Sequence, residues 1–130
     1  MATIHKEITI NRPVADLWKA LSDVAHVDRL LGYLDGVEMD GNYRLCSLDN
    51  GARLREVIIS NDDARRRMAY SVIEEPFGFE HHSASWNAVA DGEQSTFIWI
   101  TDVLPDSVVE ALEPLIDQSI ADIRTAVESA

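Results

Sequence analysis

From Thr3 to Ile10 the chain sets Ile4, Lys6, Ile8 and Ile10 against His5, Glu7 and Thr9, the period-two pattern of a strand with one face buried. Asn11-Arg12-Pro13 ends that strand, and Pro13 suits the first turn of a helix. Val14, Leu17, Trp18 and Leu21 recur at helical spacing and predict a short amphipathic helix to about Ser22. A second short helix is predicted from Val24 to Leu31, with Gly32 as its terminator. From Gly36 to Val103 the period returns to two. Asp40-Gly41-Asn42, Asp49-Asn50-Gly51, Asn61-Asp62-Asp63, Pro76-Phe77-Gly78 and Asp91-Gly92 cut that stretch into strands at about 36–40, 43–48, 53–60, 66–74, 80–89 and 95–103. The tail is helical again: Val108, Val109, Leu112, Leu115, Ile116, Ile120, Ile123 and Val127 form one broad stripe between about Asp106 and Glu128. Pro114 lies inside that stripe, so it either kinks the helix or begins its main segment after a preliminary turn.

The order of elements predicts an α+β fold with a mostly antiparallel sheet. It resembles the helix-grip fold of the SRPBCC superfamily, which includes START-like lipid binders, pollen-allergen-like proteins and polyketide cyclase/dehydrase-like proteins. The resemblance is carried by Ile8-Thr9-Ile10-Asn11-Arg12-Pro13-Val14-Ala15-Asp16-Leu17-Trp18-Lys19-Ala20-Leu21-Ser22-Asp23 and by Leu54-Arg55-Glu56-Val57. Arg67-Met68-Ala69-Tyr70-Ser71-Val72, then Glu75-Pro76, and the long terminal helix carry it further, so that it spans the whole chain. The resemblance implies a seven-stranded antiparallel sheet wrapped around the C-terminal helix, with two short helices after the first strand. It also implies a hydrophobic cavity between sheet and helix, with openings edged by the short helices and hairpin loops.

At 130 residues the expectation is a single domain covering 1–130, with a net charge of −12. That charge argues against nucleic acid as a partner, because binding a phosphate backbone needs a basic footprint. No apolar run approaches the roughly 20 residues that span a bilayer, so no membrane insertion is expected. The polar, alternating N-terminus is unlike a secretory leader. Cys46 is the only cysteine, which rules out an intrachain disulfide and Cys-based metal motifs and fits a cytoplasmic location. No phosphate-cradling glycine cluster and no Gly-x-Ser-x-Gly elbow occurs, so neither a cofactor nor a metal is implied. The expected oligomeric state is a monomer or weak homodimer.

Parity assigns an inward face: Leu54, Glu56 and Ile58; Met68, Tyr70 and Val72; His82, Ala84, Trp86 and Ala88; Phe97, Trp99 and Thr101. A carboxylate at Glu56 facing an apolar cavity is a candidate general base or acid. Alternatively Arg53, Arg55 or Arg44 pairs with it, or the parity flips and it faces water. Adjacent His81 and His82 point to opposite faces and cannot grip one metal together. Of the two, His82 is expected inside. Pairing the hairpins places Glu56 opposite Tyr70 and His82 opposite Val72, with Glu56 and His82 roughly 12 Å apart and Tyr70 between them. Tyr33, Trp86, Phe97 and Trp99, with Ile116 and Ile120 from the helix, are the candidate ligand wall, and Trp18 reads as core. Glu74 and Glu80 are expected to face each other at a solvated mouth. Arg65-Arg66-Arg67 beside Asp62-Asp63 reads as a self-neutralised turn, and Cys46 as structural.

Two readings of function follow. In one, the protein binds a small hydrophobic, aromatic or polyketide-like molecule; in the other, it is a polyketide cyclase/dehydrase-type enzyme in which Glu56, Tyr70 and His82 move protons. A protein-interaction domain using the acidic surface is a third.

Overall fold

In the computed structural model, which describes residues 1–130, each stretch of period-two alternation forms a strand. These are β1 (Ala2–Ile10), β2 (Leu34–Asp40), β3 (Tyr43–Leu48), β4 (Arg53–Asp62), β5 (Arg67–Glu74), β6 (His81–Asp91) and β7 (Gln94–Leu104). They make one sheet in the order β1-β7-β6-β5-β4-β3-β2, with every neighbouring pair antiparallel. Hairpins join all sequence neighbours from β2 to β7, and only the β1–β7 pairing brings together distant parts of the chain. The outermost strands are β1 and β2, and β2 exposes Asp35, Glu38 and Asp40. Gly41 turns the chain between β2 and β3 at φ +60°, a conformation that a side chain would strain.

Helix α1 (Val14–Ser22) buries Leu17, Trp18 and Leu21, the stripe its spacing predicts. The second short helix is a 3₁₀ segment, Val24–Arg29, which ends before the expected Leu31 and kinks at His26. So short a piece cannot repay the cost of α-helix nucleation, and the Asp23 carboxylate holds the His26 ring at 2.8 Å. A 3₁₀ turn at Asp106–Val108 leads into α2 (Val109–Glu128), which runs on through Pro114. The preliminary turn exists, but it precedes Val109, and the proline sits at an exposed position inside the helix.

Helix α2 turns Leu112, Ile116, Ile120, Ile123 and Val127 into the core, where they join Ile10, Leu17, Met68, Trp86, Phe97 and Val103. Polar ties fix its course. Lys6 Nζ on β1 lies 3.1 Å from Glu113 and 3.2 Å from Asp117, and the Arg12 guanidinium donates to the Glu128 carbonyl at 2.7 Å. The Trp18 indole N–H donates to Asp63 at 2.9 Å, joining α1 to the β4–β5 turn. Arg65 pairs with Asp62 at 2.9 Å in that turn.

Pro114 removes the N–H that would bond the Glu110 carbonyl. Since its side chain is exposed, Pro114→Ala should raise stability by roughly 1–3 kcal/mol, read as a higher urea midpoint with unchanged m. An unchanged or lower midpoint would show that the helix has already absorbed the defect.

Candidate functional site

The inward face follows parity. Glu56, Met68, Tyr70, His82, Ala84, Trp86, Phe97, Trp99 and Thr101 are buried, and Ile58 and Val72 half-buried. The register of β4 is different from that expected. Irregularities between Arg55 and Glu56 and between Ile58 and Ser60 set Glu56 opposite Val72 and Ile58 opposite Tyr70, so Glu56 does not face Tyr70. One irregularity leaves Ile73 of β5 as an extra residue and the other leaves Ile59 of β4, so the shift made at one is undone at the other. The β5–β6 ladder ends at Tyr70–Ala84, and the next tie is made by a side chain: the Val72 N–H donates to His82 Nδ1 at 2.9 Å. Glu56, Val72 and His82 therefore share one cross-strand row, which puts Glu56 and His82 about 10 Å apart by sheet spacing.

Two small spaces open on the inner face of the sheet, the first of them against α2. One, of about 50 Å³, is lined by Tyr33, Glu56, Tyr70, His82 and Trp99 with Phe77, Phe79, Leu115, Ile116 and Ser119 among others. The second, of about 30 Å³, lies towards β3 and the 3₁₀ segment and shares Tyr33, Leu54, Glu56, Tyr70 and Trp99 with the first. Both are far smaller than the ~150 Å³ that holds a benzene molecule in an engineered apolar cavity. Of the expected wall, Tyr33, Trp99 and Ile116 line the larger space and Trp86 only the smaller. Phe97 and Ile120 line neither. Phe97 packs edge-on to Trp86 at 5.8 Å within the core, and Ile120 joins the core stripe of α2, because the sheet closes on the helix more tightly than parity alone could show.

The polar groups of this region are few. Glu56 Oε1 accepts from Arg44 Nε at 2.7 Å and from the Cys46 thiol at 3.5 Å, and the Arg44 guanidinium also donates to the Val24 carbonyl at 3.1 Å. The isolated carboxylate of the sequence reading is thus an ion pair with Arg44, one of the three arginines named as alternatives. Burial, with the charge of Glu56, pushes the Cys46 thiol up, which leaves it protonated and inert. Burial likewise raises Tyr70 well above its ordinary value, aided by the charge of Glu56, and pushes Tyr33 up to about 12. Ser119 donates to the Leu115 carbonyl at 2.7 Å; its single proton is used there, so Tyr33 supplies the proton of their 3.1 Å contact. Trp99 Nε1 donates to Thr101 at 2.8 Å, whereas Trp86 Nε1 is buried without a partner. His82 is depressed to about 4 by burial and, secondarily, by His81.

Aromatic rings run from the core to the mouth. Trp86 meets Tyr70 edge-on at 5.8 Å, Tyr70 lies 5.7 Å from His82, His82 stacks on Phe79 at 5.1 Å and Phe79 on Phe77 at 5.5 Å. The segment carrying Phe77 and Phe79 is pinned by Glu75, whose carboxylate accepts from the backbone N–H groups of Phe77, Gly78 (2.9 Å) and Phe79 (2.9 Å), with Gly78 at φ +80°. Glu74 and Glu80 do not pair across this hairpin, since the ladder has already ended; Glu74 lies 3.6 Å from Arg55 instead. Phe77, Phe79 and Ser119 carry no signal in the sequence that marks them as site residues, and Arg44 stands there only as one of three possible partners of Glu56. For Arg44 a signal existed: the turn at Asp49-Asn50-Gly51 sets Arg44 directly opposite Glu56.

The largest surface groove, about 510 Å³, lies elsewhere, between α1, the 3₁₀ segment and the end of α2, and carries Arg12, Asp16, Lys19, His26 and Arg29. No group of three or more His, Cys, Asp or Glu side chains is placed to hold a metal ion. No helix is long and apolar enough to cross a membrane.

Removing one member of the buried pair leaves the other uncompensated. Arg44→Met should cost about 3–5 kcal/mol in urea unfolding, and adding Glu56→Leu should recover most of the loss. Equal loss in the double variant would mean that packing, not charge, is the reason. For His82 the sign follows from its lowered value. Between the ordinary 6.5 and about 4 the unfolded chain binds a proton that the folded chain refuses, so stability falls as pH drops through this window. Relative to His82→Asn, the wild type should lose ~1.4 kcal/mol more per pH unit, about 3 kcal/mol in all. Parallel stability–pH curves would show that His82 is not held neutral.

A search of curated proteins returns no match. Among solved structures, an uncharacterized protein from Bacillus thuringiensis superposes with TM-score 0.89 at 13% identity, covering 97% of this chain and 98% of that one. Norcoclaurine synthase from Thalictrum flavum, in complex with dopamine and hydroxybenzaldehyde, gives 0.78 at 20% identity, covering 98% and 84%. An aromatase/cyclase from Streptomyces sp. R1128 gives 0.72 at 21% identity, covering 98% and 92%. These likenesses show a shared helix-grip fold. The family described as polyketide cyclase / dehydrase and lipid transport matches residues 1–128, and it is to this family that the chain belongs.

Proposed function

We propose that this protein encloses a small hydrophobic, aromatic or polyketide-like molecule between the sheet and α2. The observation that carries the reading is the convergence of Glu56, Tyr70 and His82 on one aromatic-walled space. Glu56 Oε2, the Tyr70 hydroxyl and His82 Nε2 have no partner within the protein, yet none is sealed in the core. Polar atoms left unpaired beside an apolar wall are the few convergent groups by which a ligand pocket fixes orientation. Family membership supports the reading, as does the likeness in fold to a structure that holds dopamine and hydroxybenzaldehyde. A ligand larger than a few atoms has to displace the Phe77–Phe79 lid, because about 50 Å³ is too little for a ring.

The enzyme reading uses the same groups. Glu56, through its free oxygen, takes a proton from a carbon flanked by carbonyls, and the neutral Tyr70 donates a hydrogen bond to the oxygen on which charge gathers. Pairing with Arg44 holds that carboxylate in place. If turnover of a poly-β-ketone occurs, Glu56→Gln should reduce it by about 10²- to 10⁴-fold. In a carrier the same change should alter affinity by only about one hydrogen bond.

An NMR titration with 2-naphthol tests where the ligand goes. Amide shifts should concentrate at Tyr70, Val72, Phe79, Trp99 and Ile116, and Leu115→Trp, which fills the space, should weaken binding at least tenfold while the fold persists. Shifts confined to the groove of Lys19, His26 and Arg29 would move the site to the outer surface and end this reading.

A further inference from the structure

The orientation of His82 sets which atoms the cavity offers. A backbone N–H can only donate, so the Val72 N–H at 2.9 Å requires Nδ1 of His82 to be an unprotonated acceptor. A neutral imidazole whose Nδ1 is bare carries its proton on Nε2. The ring has little freedom to exchange these roles: it lies between Phe79, at 5.1 Å and 28° between planes, and Tyr70, at 5.7 Å. Its own carbonyl accepts from the Ser71 hydroxyl, which fixes the backbone from which the ring hangs. Nε2 has no partner within the protein and is not among the polar atoms sealed in the core, and the residue lines the larger space. The protonated nitrogen is therefore the one left free for a ligand.

At the other end of the row, Glu56 offers only an acceptor. Oε1 is occupied by Arg44 and Cys46, and Oε2 is free. The proton of Tyr33 goes to Ser119, so it too can only accept from a ligand. The space is thus polarised: a fixed donor at His82 beside the rotatable hydroxyl of Tyr70, acceptors at Glu56 and Tyr33, and aromatic surface between.

We infer that His82 is a hydrogen-bond donor that selects neutral aromatic carbonyl compounds, whose carbonyl oxygen it holds through Nε2–H, and that it takes no proton from the ligand. This deepens the proposed function and rests on it. It also revises the part given to His82 in an enzyme: with Nδ1 committed and Nε2 already protonated, the ring orients a carbonyl and has no free lone pair with which to abstract a proton.

The test uses three single-ring probes of similar size: acetophenone with a carbonyl acceptor, cumene with no polar atom, and benzamidine, a donor-only cation. The substitution is His82→Asn, whose side-chain oxygen can stand where Nδ1 stands and keep Val72 satisfied while the Nε2 position is lost. Nitrogen-15 NMR of the wild type should give a pyridine-type signal for Nδ1 and a pyrrole-type signal for Nε2. Because Arg44 already balances the charge of Glu56, a benzamidinium in the space would stand uncompensated, so wild type should bind acetophenone and reject benzamidine. The ratio of acetophenone to cumene affinity should fall roughly three- to tenfold in His82→Asn, the worth of one hydrogen bond, with cumene itself little changed. The opposite tautomer, or an affinity ratio that does not move, overturns the inference while leaving the cavity reading intact. Failure of all three probes to bind wild type overturns the cavity reading and this inference with it. Should His82→Asn not fold, the tautomer and the acetophenone-over-benzamidine preference of the wild type decide alone.

Discussion

Two opposite charges leave water together at the centre of this fold, and neither could do so alone. Arg44 and Glu56 are almost fully buried, on adjacent strands, and the guanidinium spends its remaining reach on the Val24 carbonyl and the face of Tyr70, 5.4 Å from the ring centre. The pair thereby joins β3, β4, the 3₁₀ segment and β5 at one point. Ion pairs of this kind contribute little net stability against a hydrophobic replacement, but breaking one is expensive. Their effect here is to fix position: Glu56 keeps one oxygen turned to the cavity because the other is held from behind.

The period-two and helical patterns were enough to place all seven strands and both α-helices, because each buries one face and so shows its geometry in its composition. The helical reading of Val24–Leu31 went too far, since 3₁₀ and α turns bury similar spacings over so few residues. Inward parity was legible for the same reason as the strands. Register was not: the β4–β5 hairpin closes on Asp62 and Arg67, and Ile59 of β4 and Ile73 of β5 are extra residues that no glycine or proline marks. The misassignment of Phe97 and Ile120 has a different origin. Facing inward is a property of one strand or helix, but lining a cavity depends on how closely two layers approach. That distance is set by the sum of all side chains between them.

What fills the space is largely aromatic. Trp86, Phe97 and Trp99 meet at tilted and edge-on angles in the deep part, whereas Phe77, Phe79 and His82 lie nearly parallel towards the mouth. The deep rings are held by neighbours on every side, and their removal leaves a void. The outer rings rest on a short segment whose conformation depends on one carboxylate, Glu75, accepting from three backbone N–H groups. Burial therefore decreases along the chain of rings, from Trp86 to the half-buried Phe79 and Phe77. The wall that must keep its shape is in the core, and the part that must give way to admit a ligand hangs from the loop.

The sheet has two open sides, and the acidity of β2 gives one of them a consequence beyond the site. An open strand carries unpaired backbone donors and acceptors that another molecule could extend. Asp35, Glu38 and Asp40 along β2, on a chain of net charge −12, make two such strands repel before their hydrogen bonds can form. The protection is electrostatic, so it is reversible: it fades as salt shortens the range of repulsion and disappears as pH approaches the isoelectric point near 4.5. The net charge thus works against strand-upon-strand pairing in concentrated protein.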